Sequence, residues 1–241
     1  TLIARHRSRR GDLDGAVEAL RNSATMEERS GVVTVLAQVE LGRLLVRAGR
    51  TEEGRRVLSR TLGQACNISA EYRILAHVGM MAAALDDEDT RAAGTSLAEV
   101  REVMAARLVS DPEYLKVEIE LVTARLYLQR GQVRLAEAAI REAAAGVAGI
   151  AYPALDADVI DTTALVLEAT RRPEMAARAL GMADRLRGGG TASGKAPVVL
   201  GERLTQALGT ENFRWLYDEG RATGLGATGV WALAADDEPL R

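Results

Sequence analysis

Few residue groupings in this chain have types and spacing that could do chemistry. Gly189-x4-Gly194-Lys195 has the spacing of a phosphate-binding loop, in which backbone amides cradle phosphate and the lysine neutralises it. Ala196, however, stands where a Ser or Thr hydroxyl must reach magnesium, and the segment follows a helical pattern instead of a strand. It reads as a flexible loop. Gly224-Leu225-Gly226-Ala227-Thr228-Gly229 matches the dinucleotide-binding GxGxxG literally, but it too follows a helix. The chain ends before an acidic ribose-binding residue could appear roughly 20 positions on. A helix end and turn is the better account.

The titratable residues are equally sparse. His6 and His77 are the only histidines, and neither a His-x3-His nor a Glu-x-x-His pair occurs, so no metal site is expected. Cys66 is the sole cysteine, which fits a reducing cytoplasm and leaves no internal disulfide. Asp86-Asp87-Glu88-Asp89 lacks the spaced ligands and glycine of a calcium loop and reads as a solvated turn that caps the next helix. Arg5, Arg7, Arg9 and Arg10 read as one wet helix face. Only Asp158 and Asp161 with Arg125 could form an acid–base pair, and that would need a perturbed carboxylate. The expectation is a protein that binds and is no enzyme, with no cofactor of its own.

The elements that must position these residues are helical hairpins. In LGRLLVRAGRTEEGRRVLSRTL, residues 41–62, Leu41, Leu44, Leu45 and Ala48 form one apolar helix face. Gly49-Arg50-Thr51 breaks the pattern, with Gly49 suited to a left-handed cap and Thr51 to an N-cap. Gly54, Val57, Leu58, Thr61 and Leu62 then form a second face. The turn is too short for anything but an antiparallel pair. Related units follow Gly11, the acidic turn at 85–89 (register uncertain by one residue), Gly131 and Arg171. Small residues where paired helices cross let the backbones approach, and a large residue four positions on fills the adjoining gap. No window shows strand-like alternation. The fold class is therefore all-α: a tetratricopeptide-like superhelix of about five hairpins, although the first-helix Trp and terminal Pro are missing and the period exceeds the usual ~34.

In such a superhelix the first helix of each hairpin lines the concave wall. Counting from the turns gives Arg43, Arg47, His77 or its neighbour, Glu118, Arg125, Gln129, Asp158, Asp161 and Glu168 as the ligand-binding groove. Arginines toward one end and carboxylates toward the other suit an elongated polar or zwitterionic ligand, or a peptide. A one-residue register change would move His77 from groove to core.

Composition excludes other classes. The 34 acidic residues against 31 basic ones argue against a nucleic-acid or membrane-surface protein, and 3% aromatic residues are too few for base stacking. Charges interrupt every apolar run before the roughly 20 residues a span needs. Thr1 stands where an initiator Met would, and the chain reads as a piece of something longer. Residues 1–187 are expected to form the repeats and 188–197 a flexible loop. Residues 198–241, which hold Trp215 and Trp231, are expected to form a helical cap on the open end.

The C-terminal third carries a specific resemblance. Ala176-Ala177-Arg178-Ala179-Leu180-Gly181-Met182-Ala183-Asp184-Arg185-Leu186-Arg187 is similar to a helix of large bacterial ATP-dependent transcriptional regulators. Glu202-Arg203-Leu204, Leu208-Gly209, Phe213, Trp215 and Glu219-Gly220-Arg221-Ala222 continue the likeness, as does the final Val230-Trp231-Ala232-Leu233-Ala234. Two groups share this region: MalT-like regulators of the LuxR type, and actinobacterial antibiotic regulators with an NB-ARC ATPase. The resemblance implies a cytoplasmic sensor domain that binds a small-molecule inducer or protein and controls the rest of the parent regulator. ATP or ADP is implied only for an upstream ATPase, with no nucleic-acid contact by this chain. No residue here matches the ATPase or DNA-reading motifs. A homo-oligomer is possible, and a free-standing tetratricopeptide adaptor is the alternative.

Overall fold

A computed structural model describes Arg7 and residues 12–29, 35–64, 69–106, 112–150, 152–188, 194–223 and 225–236. Among these residues the chain is all-α, with twelve helices and no strand. They are α1 (Leu13–Arg29), α2 (Val35–Arg47), α3 (Thr51–Gln64), α4 (Ala70–Asp86), α5 (Thr90–Ala105) and α6 (Pro112–Gln129). Then follow α7 (Val133–Val147), α8 (Pro153–Ala169), α9 (Pro173–Arg187), α10 (Ala196–Leu208), α11 (Thr210–Thr223) and α12 (Ala227–Asp236). No described helix is long and apolar enough to cross a membrane.

One turn geometry recurs and explains the hairpins. Gly49, Glu88, Gly131 and Arg171 all have left-handed backbones, with φ of 75°, 59°, 69° and 62°. They are spaced 39, 43 and 40 residues apart. In each case the next residue's N–H reaches back five positions to a helix carbonyl: Arg50 to Leu45 at 2.8 Å, Asp89 to Ala84 at 2.9 Å, Gln132 to Tyr127 at 2.8 Å and Arg172 to Leu167 at 2.9 Å. Carbonyls left open at each helix end are thereby satisfied while the chain reverses. Asp12 makes the same bond to Arg7 at 3.1 Å, ahead of α1; Gly11 itself lies outside the described residues.

The packing positions keep step with these turns. Five residues after the left-handed residue stand Gly54, Ala93, Ala136 and Ala176, and nine after it Leu58, Leu97, Ile140 and Leu180. All eight are buried. At the α2–α3 crossing, a Cβ on Gly54 would fall 2.6 Å from the Gly42 carbonyl oxygen, so only glycine permits that approach. Ala16 and Leu20 of α1 occupy the corresponding places after Gly11 and are buried too.

The chain divides into two compact units, Thr1–Glu118 and Ile119–Arg241, with the division within α6. In the first unit α2 pairs with α3, α4 with α5, and α4 also packs on α2 and α3. In the second unit α8 is packed by α7, α9, α10 and α12, and eleven of its residues are buried. The segment beyond 197 adheres closely to the last hairpin: a Cβ on Gly181 of α9 would lie 2.0 Å from the Tyr217 carbonyl oxygen of α11, and one on Gly220 would lie 2.0 Å from that of Arg178. Two helices touching backbone to backbone at reciprocal glycines leave no room for a side chain at either position.

Candidate functional site

In the first unit a polar cluster forms where α2 meets the start of α6. Arg43 lies one turn before the end of α2, with a side chain only 12% exposed. Its stem runs over Gly79 of α4, whose missing Cβ would otherwise sit 2.9 Å from Arg43 Cγ. The guanidinium then donates to Glu118 Oε1 at 2.5 Å, a carboxylate only 8% exposed. The Tyr114 hydroxyl, one helical turn earlier on the same face, donates to the same oxygen at 2.6 Å. Glu40 stands 3.7 Å from the other end of the guanidinium.

Burial pushes the Glu118 carboxyl up, but the charge of Arg43, the hydrogen bonds from Tyr114 and Arg43, and the charge of Arg47 outweigh it. Its pKa is therefore held below the ordinary value. Burial acts downward on Arg43, and Glu118, Tyr114 and Glu40 together lift it well above the ordinary value. Burial and the Glu118 charge raise the Tyr114 phenol. All three shifts lead away from neutral pH, the arrangement of a buried ion pair stabilised by its own partners.

Of the other expected groove residues in this unit, Arg47 is half-buried and acts electrostatically on Glu118. His77 is half-buried on α4, and its pKa is lowered by burial and by Arg73 against an opposing pull from Glu99. With Glu88 as the left-handed residue, His77 matches Gln38 of the preceding hairpin, which accepts a hydrogen bond from Thr61 of its own paired helix at 3.2 Å. Hence Arg43, Arg47 and Glu118 share one cluster, while His77 occupies a position equivalent to one turned toward the hairpin partner.

In the second unit Asp161 is buried on α8 and accepts from Arg187 at the end of α9, at 2.5 and 3.3 Å. That bidentate pair, 9% and 4% exposed, closes the α8–α9 hairpin. Glu168 faces Arg203 of α10 at 3.4 Å. Asp158 and Arg125 are half-buried and Gln129 is exposed. The carboxylates counted to one wall thus take separate directions: Asp161 into the hairpin, Glu168 toward α10. Among the described residues, no group of three His, Cys, Asp or Glu is placed to hold a metal ion.

Sequence reasoning missed Tyr114, Gly79 and Arg187. Tyr114 was within reach, being four residues before Glu118 on one helix. Gly79 and Arg187 acquire their roles only from contacts between helices distant in sequence. No protein-family model, no curated protein and no solved structure matches the chain.

Proposed function

We propose that this chain is a tetratricopeptide-like regulatory domain that binds a ligand or protein and controls an ATPase and DNA-binding module elsewhere in a bacterial transcriptional regulator. The observation that carries the reading is the reciprocal glycine contact of Gly181 and Gly220. It joins the two stretches that resemble the sensor region of such regulators, Ala176–Arg187 and Glu219–Ala222, into one packed surface. The recurring hairpin turns support a superhelix of stacked repeats. Each unit by itself carries polar residues on its first helices, Arg47 in the first and Arg125, Gln129 and Asp158 in the second, of the kind that bind a polar inducer or peptide. The charges of Arg43, Glu118 and Asp161 are engaged internally and hold the helices that present them.

On this reading the chain works in the cytoplasm, takes no cofactor itself and catalyses nothing; nucleotide belongs to the upstream module. The test is a reporter gene driven by the parent regulator carrying Arg47→Ala or Asp158→Ala. The expected result is a shifted inducer response at unchanged protein level. A response identical to wild type in both variants contradicts the proposal.

A further inference from the structure

The chain's two tryptophans sit in contrasting surroundings. Trp231 of α12 is half-buried, and the Arg141 guanidinium of α7 lies 4.6 Å from its ring centroid. Trp215 of α11 is 60% exposed, and the Arg178 guanidinium of α9 stands 6.0 Å from its ring centroid, at the outer limit of a cation–π contact. Arg178 is kept there by Glu219, which accepts from its Nε at 2.7 Å. The buried side of α11 is formed by Leu216 and Gly220, with Gly220 against the Arg178 backbone. The Trp215 indole is left outside that packing.

A lone exposed valine or leucine is ordinary on a protein surface, whereas tryptophan and arginine are the residue types most enriched where one protein grips another. The neighbours of Trp215 on the outer face of α11 carry charge in a fixed order. Glu211 stands one turn before it, Asp218 one turn after it and Arg214 beside it, all exposed. Among the described residues, none of these three charges is engaged in an ion pair. The face therefore reads acid, base, indole, acid at i, i+3, i+4 and i+7, over about 10 Å of helix. Two carboxylates against one guanidinium leave it acidic.

We propose that the outer face of α11 docks a helix of a partner protein that carries an apolar residue between two basic ones. Charge complementarity selects this occupant. An antiparallel helix, aligned as in the chain's own hairpins, would set one cation opposite Asp218 and its apolar side chain on the Trp215 ring. An acid then falls opposite Arg214 and a second cation opposite Glu211. The indole supplies the buried area, and the flanking charges fix register and reject helices of the opposite pattern. This surface is built on α11 and uses none of Arg47, Arg125, Gln129 and Asp158, so it stands apart from the inducer reading.

The test uses the chain carrying Trp231→Phe, which leaves Trp215 its one indole. Two alanine-based peptides of about fifteen residues are titrated against it, one containing Lys-x-x-Leu-Glu-x-x-Lys and the other the charge-swapped Glu-x-x-Leu-Lys-x-x-Glu. The first is expected to shift Trp215 emission to shorter wavelength and to bind about tenfold more tightly than the second. Glu211→Lys with Asp218→Lys is expected to invert that preference. Circular dichroism checks that these exposed substitutions keep the helix content. If they do not, the milder Glu211→Gln with Asp218→Asn takes their place and is expected to abolish the preference. No emission shift with either peptide, equal binding of both, or a preference that survives the substitutions overturns the proposal.

Discussion

Arg43 and Glu118 lie 75 positions apart in sequence and meet at 2.5 Å, with the arginine stem laid across the bare backbone of Gly79. Removing one partner leaves a buried charge unpaired, which costs about 3–5 kcal/mol. Arg43→Ala and Glu118→Ala are therefore each expected to destabilise the chain strongly in urea titrations. Replacing both together, Arg43→Met with Glu118→Leu, is expected to recover part of the loss, because neither of the two buried charges is left without the other, while the Tyr114 hydroxyl still loses its Glu118 acceptor.

The same pair sets an acid limit. The folded pKa of Glu118 is depressed below its ordinary 4.5, so its contribution is complete above that value and is lost as pH falls through the folded pKa. Stability should decline on acidification below about pH 4.5. Glu118→Gln should be less stable at neutral pH and show a shallower slope across that window, measured as the urea midpoint against pH.

Glycine substitutions sort by what a Cβ would meet. Gly181→Ala and Gly220→Ala drive it to 2.0 Å from backbone oxygen, which cannot yield as a side-chain tip can. Each is expected to cost about 3 kcal/mol, the upper part of the overpacking range. Gly201→Ala meets nothing nearer than 4.0 Å on a helix and should instead stabilise by about 0.5–1 kcal/mol. Thermal melts of the three variants would reveal the opposite signs.

Two hairpin turns carry side chains in the left-handed region, Glu88 and Arg171. A left-handed backbone costs a residue with a Cβ about 1–2 kcal/mol. Glu88→Gly should recover up to roughly 1 kcal/mol, the entropy of glycine offsetting part of the relief. Gly131→Ala, at the equivalent place, should lose a similar amount. Chemical denaturation of both variants checks the pair.

Much of the fold was legible because it is local. Gly49 and Gly131 announce reversals by residue type, and the small residues after them mark crossings at fixed distance. Glu88 was harder: an acidic residue carries no left-handed signature, so the register of α4 stayed open by one position, and His77 with it. The candidate site was less legible, since its charges pair across sequence. Nothing within α8 tells Asp161, bound to Arg187 26 residues on, from Asp158. Counting from turns identifies a helix face, but which neighbour covers that face depends on how later helices return. Arg203 of α10 reaches Glu168 in this way, and Ala227 of α12 reaches Asp156.

The central claim, a sensor domain serving a nucleotide-driven regulator, is tested most directly by reading the open reading frame upstream of Thr1. A GxxxxGK[ST] motif that follows a strand pattern and precedes this chain is the predicted result. An initiator methionine within a few residues of Thr1 would contradict it and leave a free-standing helical adaptor.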